Sequence, residues 1–261
     1  MNFKDLGLSE ETIKAIDEFG ITEPTSVQSD VIPAILQGRD IFTIAPARCG
    51  KTMSYVLPLL DIIHAKKAKN ILIITSNSQS AVKASDNMAI FNKYHEISSA
   101  AIQDGKEDVA DEANVIIGAP DLLLDVVNND KIDLSKVDIL VVDDINLIKK
   151  NKQLENLEKI LDILPSEKQN IVYTNRRSKE TQDILQKILK APEEIKVDKN
   201  KEQEVDSSPK AVEPEEKKAK PNFNVVEDKE AIDLVKKYNS YNGKTPRFIL
   251  IKGIIAEGEE K

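Results

Sequence analysis

The chain has 261 residues, enough for one large α/β domain with an appendage. Its net charge of -8 gives no general attraction to nucleic acid or an anionic membrane, so any RNA contact must use a local basic strip. A single cysteine, Cys49, excludes an internal disulfide and fits a reducing, cytoplasmic setting; the polar N-terminus lacks a signal-peptide core, and no apolar run approaches membrane-spanning length.

The first helical stretch, Phe3 to Phe19, has Ser9 as an N-cap, Glu10 and Glu11 in the first turn, and Ile13, Ile16 and Phe19 at helical spacing. Gly20 ends it. The segment Gly20-Ile21-Thr22-Glu23-Pro24-Thr25-Ser26-Val27-Gln28 follows and leads into a helix to about Leu36. Gly38, Arg39 and Asp40 turn the chain into Ile41-Phe42-Thr43-Ile44, a buried strand. Next comes Ala45-Pro46-Ala47-Arg48-Cys49-Gly50-Lys51-Thr52, and then a periodic run from Met53 to Ile63 that predicts a helix.

Strand, turn with Gly-Lys-Thr, helix is the context of a phosphate-binding loop. Backbone N–H groups of Ala47, Arg48, Cys49 and Gly50 can face phosphate oxygens, and the helix dipole favours that charge. Lys51 reaches the outer phosphates and the Thr52 hydroxyl ligates Mg2+. The loop departs from the usual pattern: Ala45 stands where Gly opens it, and Ala47-Arg48 replace a common Thr-Gly. Arg48 carries a Cβ, which is costly wherever φ must be positive, and adds a second cation. Cys49 is a small filler.

Gly-Ile-x-x-Pro-Thr-x-Val-Gln, with Phe3 seventeen residues before Gly20, resembles the adenine-reading Q motif of DEAD-box RNA helicases. The resemblance implies that the Gln28 amide bonds the adenine edge and that Phe3 stacks on the ring. An amide offers the donor and acceptor that this edge needs, and a phenyl ring offers a stacking face.

Asn70 to Thr75 predicts a second strand. Thr75-Ser76-Asn77-Ser78-Gln79 stands where the family has Pro-Thr-Arg-Glu-Leu, so the RNA-gripping Arg is replaced by Asn77. This loop reads as a polar connection with Ser76 or Ser78 capping a helix over Ala81–Phe91. Ser98 to Ile102 is a short strand, and Asp104-Gly105 replaces a Gly-Gly turn. Val115 to Gly118 is another buried strand. Ala119-Pro120-Asp121-Leu122-Leu123 replaces Thr-Pro-Gly-Arg-Leu, which removes a second RNA-gripping Arg, and Pro120 reads as a helix start.

Val137 to Asn146 is a strand ending in Asp143-Asp144-Ile145-Asn146, where the family has Asp-Glu-Ala-Asp. The resemblance gives Asp143 to Mg2+ and Asp144 to the attacking water, one methylene short of the Glu it replaces. Lys51 and Asp144 are the catalytic candidates; Thr52 and Asp143 are the metal ligands. Asn151 to Leu164 is an amphipathic helix. Gln169 to Arg176 is a strand and its exit, with Thr174-Asn175-Arg176 replacing a coupling Ser-Ala-Thr. Of these, Thr174 alone resembles its counterpart, which leaves coupling in doubt. Lys179 to Leu189 is helical, and Pro192 to Val197 closes with a strand.

The fold expected over residues 1–198 is α/β, with a mostly parallel sheet, helices on both faces and the site at the carboxyl ends of the strands. The resemblance makes it a RecA-like P-loop NTPase domain. Residues 199–221, rich in Lys, Glu and Pro, read as a flexible charged linker. Residues 222–261 read as a strand-helix-strand stub that resembles the start of a second RecA-like domain. That stretch cannot build the domain that supplies the family's arginine finger, so Arg48 and Arg176 are the stand-ins available. His64 and His95 are isolated in the sequence and offer no metal-ligand spacing.

Three readings follow. One is a divergent ATP-dependent RNA helicase homologue, with ATP and Mg2+ bound, RNA contacts weakened and a partner protein completing the cleft. Another is a non-hydrolysing nucleotide-sensing or protein-interaction module. A third is a decayed scaffold that binds no nucleotide.

Overall fold

Apolar runs four residues long build the middle of the sheet because each successive side chain enters a different core. In β2 (Ile71–Ile74), Ile71 and Ile73 pack with one cluster, and Leu72 and Ile74 with the other. β5 (Ile139–Val142) divides in the same way. Strands buried on both faces lose the polar alternation of a half-exposed sheet. Each such side chain contributes roughly 1.5–3 kcal/mol on burial. The structure is a computed structural model that describes residues 2–104 and 113–197. The expected linker and C-terminal stub, and Gly105, lie outside the described residues.

The remaining strands are β1 (Ile41–Ile44), β3 (Ser99–Ala101), β4 (Val115–Gly118), β6 (Gln169–Thr174) and β7 (Glu193–Lys196). They form one seven-stranded sheet in the order β3-β4-β2-β5-β6-β1-β7, every pairing parallel. The register sets Val141 and Ile41 on either side of Ile171, so β6 lies between β5 and β1.

One face is covered by α1 (Glu10–Phe19), α2 (Ser26–Leu36), α3 (Lys51–His64) and α4 (Ser78–Phe91), which contribute Ile13, Val31, Tyr55 and Ala81 to its core. The other is covered by α5 (Pro120–Asn128), α6 (Ile145–Lys150), α7 (Leu154–Ile163) and α8 (Gln182–Ile188), with Leu123, Ile148, Leu157 and Ile184. Among the described residues no helix is long and apolar enough to cross a membrane.

Several boundaries differ from the sequence reading, each for a local reason. Phe3–Leu6 is a separate 3-10 turn, closed by Gly7 at φ 84, so α1 starts only after its Ser9 cap. The cap of α4 is Asn77, whose Oδ1 accepts from Ser80 N at 2.8 Å, rather than Ser76 or Ser78. Asn competes well for this position because its amide oxygen reaches the third N–H of the helix. The short α6 was not expected, since six residues carry too little periodicity to read. The helix expected over Lys179–Leu189 opens as a 3-10 turn before α8.

Candidate functional site

The loop after β1 is held from both sides. Ala45 N donates to Thr174 O at 2.9 Å, which continues the β1–β6 ladder by one bond. Gly50 then serves as the N-cap of α3 at φ 88, and Arg48 has φ 66. The strain expected at Arg48 is therefore present: a left-handed non-glycine residue costs about 1–2 kcal/mol. Ala47 and Arg48 are exposed. Cys49 is buried and its thiol donates to Pro46 O at 3.0 Å, as a filler should.

The Thr25–Gln28 segment braces this loop from below. Thr25 and Gln28 form a reciprocal capping box at the start of α2, with Thr25 N donating to Gln28 Oε1 at 3.0 Å. The Thr25 hydroxyl donates to Cys49 O at 2.9 Å, and Gln28 Nε2 to Gly50 O at 3.4 Å. A Cβ on Gly50 would lie 2.6 Å from Gln28 Nε2 and 2.8 Å from Thr25 Oγ1. Gln28 is only 3% exposed, so its amide is spent on the cap and the loop. Phe3 is 4% exposed and packs in the core. Burying a phenyl ring there gains more than leaving it in water.

The acidic strand end faces the loop across β6. Lys51 Nζ donates to Ala45 O at 3.2 Å and lies 3.6 Å from Asp144 Oδ2, with both side chains about nine-tenths buried. Asp144 adopts φ 62 as it caps α6, a strained conformation that turns its carboxylate toward the lysine. Asp144 Oδ1 is buried without a hydrogen-bond partner among the described residues. Asp143 Oδ2 accepts from the Tyr55 hydroxyl at 3.0 Å. Burial pushes the Asp143 carboxyl above the usual carboxylate range, while the Tyr55 bond and the Lys51 charge pull it down.

Sequence reasoning missed the hydroxyls beneath this cluster. Tyr55 and Tyr173 are fully buried with rings 5.6 Å apart, and the Tyr173 hydroxyl meets Ser54 Oγ at 2.8 Å. Burial raises both phenols above the usual tyrosine range. The signal was a Ser-Tyr pair inside an apolar helix and a Tyr inside an apolar strand; apolar spacing alone ranks them as core. The donor set suits a hard divalent cation: the Thr52 hydroxyl, the Asp143 carboxylate and a free oxygen on Asp144.

Asn146 links the two strand ends. Its Nδ2 is 2.8 Å from Thr174 Oγ1, 3.0 Å from Asn175 Oδ1 and 2.7 Å from Arg176 O. Asn146 thus ties the acidic strand end to the Thr174-Asn175-Arg176 exit through its amide. The side chains at the positions expected to face RNA bond within the protein. Ser76 is buried with its Oγ accepting from Asn77 Nδ2 at 3.2 Å, Asn77 caps α4, and Asp121 accepts from Gln153 Nε2 at 3.0 Å. His64 and His95, isolated in the sequence, meet edge to face at 5.1 Å. Among the described residues no group of three or more His, Cys, Asp or Glu is placed to hold a metal.

Two cavities, of about 390 and 410 Å3, lie elsewhere. One is lined by Asn70, Asn114 and Lys136 and the other by Ser29, Gln37 and Glu193, and neither includes Lys51, Asp143 or Asp144. The strand carboxyl ends remain the better candidate, because open parallel sheets bind ligands there and the converging charges lie there.

A DEAD/DEAH box helicase family model matches residues 25–184. The chain is 29% identical over 202 residues to the DEAD-box ATP-dependent RNA helicase RhpA of Helicobacter pylori, covering 75% of this chain and 41% of that protein. It is 29% identical over 203 residues to the ATP-dependent RNA helicase DeaD of Escherichia coli, covering 75% of this chain and 32% of that one. The chain thus spans less than half the length of these relatives. The crystal structure of a DEAD box protein from Methanococcus jannaschii superposes with a TM-score of 0.72 at 25% identity, covering 77% of this chain and 57% of the other.

Proposed function

Because the chain belongs to the DEAD/DEAH box helicase family, we propose that it binds ATP with Mg2+ at the carboxyl ends of β1 and β5 and hydrolyses it slowly. The observation that carries this reading is the convergence of Lys51, Asp144 and Asp143 beneath the N-terminus of α3. Lys51 exchanges Ala45 O and Asp144 for phosphate oxygens, and the first N–H groups of α3 hold the same charge. Thr52 and Asp143 hold the cation, which neutralises charge on the phosphates when bound. Asp144 orients a water through the oxygen that no donor occupies. Gln28 reads the adenine edge once its amide leaves Gly50 O, and Phe3 stacks on the ring once its face is uncovered.

Slow turnover follows from two features. Asp144 is shorter than Glu and its other oxygen is turned to Lys51, so it holds the water farther from the attacking position than a Glu would. Asp143 is engaged by Tyr55. RNA binding is weakened because Asn77 and Leu122 stand where Arg is expected, and because Asn77 and Asp121 are used for internal bonds. A partner protein completing the cleft, in a cytoplasmic setting, belongs to the same reading. A second reading, a non-hydrolysing nucleotide sensor, is favoured by the internal use of those RNA-facing side chains.

Titration with a fluorescent ATP analogue tests the site on the native chain, Lys51→Ala and Gln28→Ala. Binding is expected to fall at least tenfold in Lys51→Ala and several-fold in Gln28→Ala, and equal binding by all three removes the assigned site. Steady-state hydrolysis with and without single-stranded RNA separates the two readings: RNA-stimulated turnover overturns the sensor.

A further inference from the structure

We propose that the Tyr55 hydroxyl is a built-in rival of the metal ion, holding the oxygens the cation needs and so setting the Mg2+ dependence of nucleotide binding. The inference rests on the nucleotide reading above. Tyr55 lies one turn after Thr52 on α3, so both side chains share a face of that helix. Its hydroxyl donates to Asp143 Oδ2 at 3.0 Å. The phenolic oxygen thus holds one residue assigned to the metal, Asp143, on the helix face that carries the other, Thr52.

The bridge cannot be moved aside cheaply. Tyr55 has no exposed surface, and its ring packs on Tyr173, which is itself held by Ser54. Interiors packed this densely give a ring no second position. A phenol has one proton to donate. A cation on Asp143 Oδ2 competes with that proton for the lone pairs of one oxygen, and the neighbouring Thr52 hydroxyl is claimed by the same cation. The hydroxyl is then left buried and unpaired, a loss of one hydrogen bond and about tenfold in apparent cation affinity. Phenylalanine keeps the ring and its packing and removes the rivalry.

The test compares the full native chain with Tyr55→Phe. A fluorescent ATP analogue is titrated at a series of Mg2+ concentrations and again in EDTA. The half-saturating Mg2+ concentration is expected to fall about tenfold in Tyr55→Phe, with affinities in EDTA unchanged. An equal or higher Mg2+ midpoint overturns the inference, since Tyr55 would then be orienting Asp143 for the metal through its other oxygen. Absence of nucleotide binding in the native chain, with or without Mg2+, overturns the functional reading and this inference with it. A second measurement needs no variant. The chain has five tyrosines and no tryptophan, so adding Mg2+ to the nucleotide complex should give a tyrosine ultraviolet difference spectrum as the buried hydroxyl loses its acceptor. A flat difference spectrum counts against the rivalry.

Discussion

Replacing Gly50 by alanine probes the brace between the Thr25–Gln28 segment and the loop. Two costs add. The residue sits at φ 88, where a side chain costs about 1–2 kcal/mol. The new Cβ would also stand 2.6 Å from Gln28 Nε2 and 2.8 Å from Thr25 Oγ1, well inside ordinary contact. Gln28 is buried and tied into its capping box, so relief breaks bonds rather than swinging a free side chain. The bonds at stake are Thr25 Oγ1 to Cys49 O and Gln28 Nε2 to Gly50 O, the second already long at 3.4 Å. At about 1 kcal/mol for a good bond and less for the long one, the total loss is about 2–4 kcal/mol. For a domain of this size that lowers the melting temperature by roughly 5–15 °C. Urea denaturation followed by far-ultraviolet circular dichroism measures it. Combining Gly50→Ala with Thr25→Ala should cost less than the sum of the two single changes, because both disrupt the same contact. A Gly50→Ala midpoint within about 0.5 kcal/mol of the native chain would falsify the brace.

Arg48→Gly should raise the urea midpoint by up to about 1 kcal/mol, the left-handed cost at φ 66 less the entropy glycine adds to the unfolded chain; a lower midpoint contradicts the loop geometry. Asp143→Asn should stabilise the nucleotide-free fold by a few degrees while removing Mg2+ dependence. Burial raises the Asp143 carboxyl, so the folded state holds its proton more tightly and charging it costs stability as pH rises. The gain should therefore be greatest at neutral pH and vanish in acid; a pH-independent gain argues against a buried charge. His95 is pushed below its ordinary value of 6.5, first by burial and then by His64, against the opposing charges of Asp61 and Glu11. Its Nε2 meets the Thr12 hydroxyl at 2.8 Å. The folded state disfavours its proton, so stability should decline as pH falls through 6.5. His95→Gln should flatten urea midpoints measured between about pH 5 and 8, and an unchanged slope removes His95 as the cause.

The elements most legible from residues alone were those with strong local chemistry. Ser9 before Glu10-Glu11, Gly20 after Phe19, and Pro120 before Asp121 each marked a helix end to the residue. The apolar runs at Ile71 and Val115 marked strands with ends close to those seen. Asn77 was missed as a cap because it competes with two neighbouring serines that carry the same signal. The loop chemistry of Lys51 and Thr52, and the acids Asp143 and Asp144, were legible as types in order along the chain. Which oxygen meets which proton was not, because Tyr55 and Tyr173 look like core residues until β6 is placed between β1 and β5.

Local spacing and capping, both short-range properties, were enough to determine an α/β chain with a strand-turn-helix carrying Gly-Lys-Thr, an acidic strand end and the order between them. Tertiary packing alone decided that Phe3 is core, that Gln28 supports the loop, that Asp144 pairs with Lys51 while Asp143 pairs with Tyr55, and that two distant histidines touch. The reason is physical: those outcomes depend on strand order and on which buried polar atoms find partners, and hydrogen-bond satisfaction in a closed interior is settled only when every neighbouring element is in place.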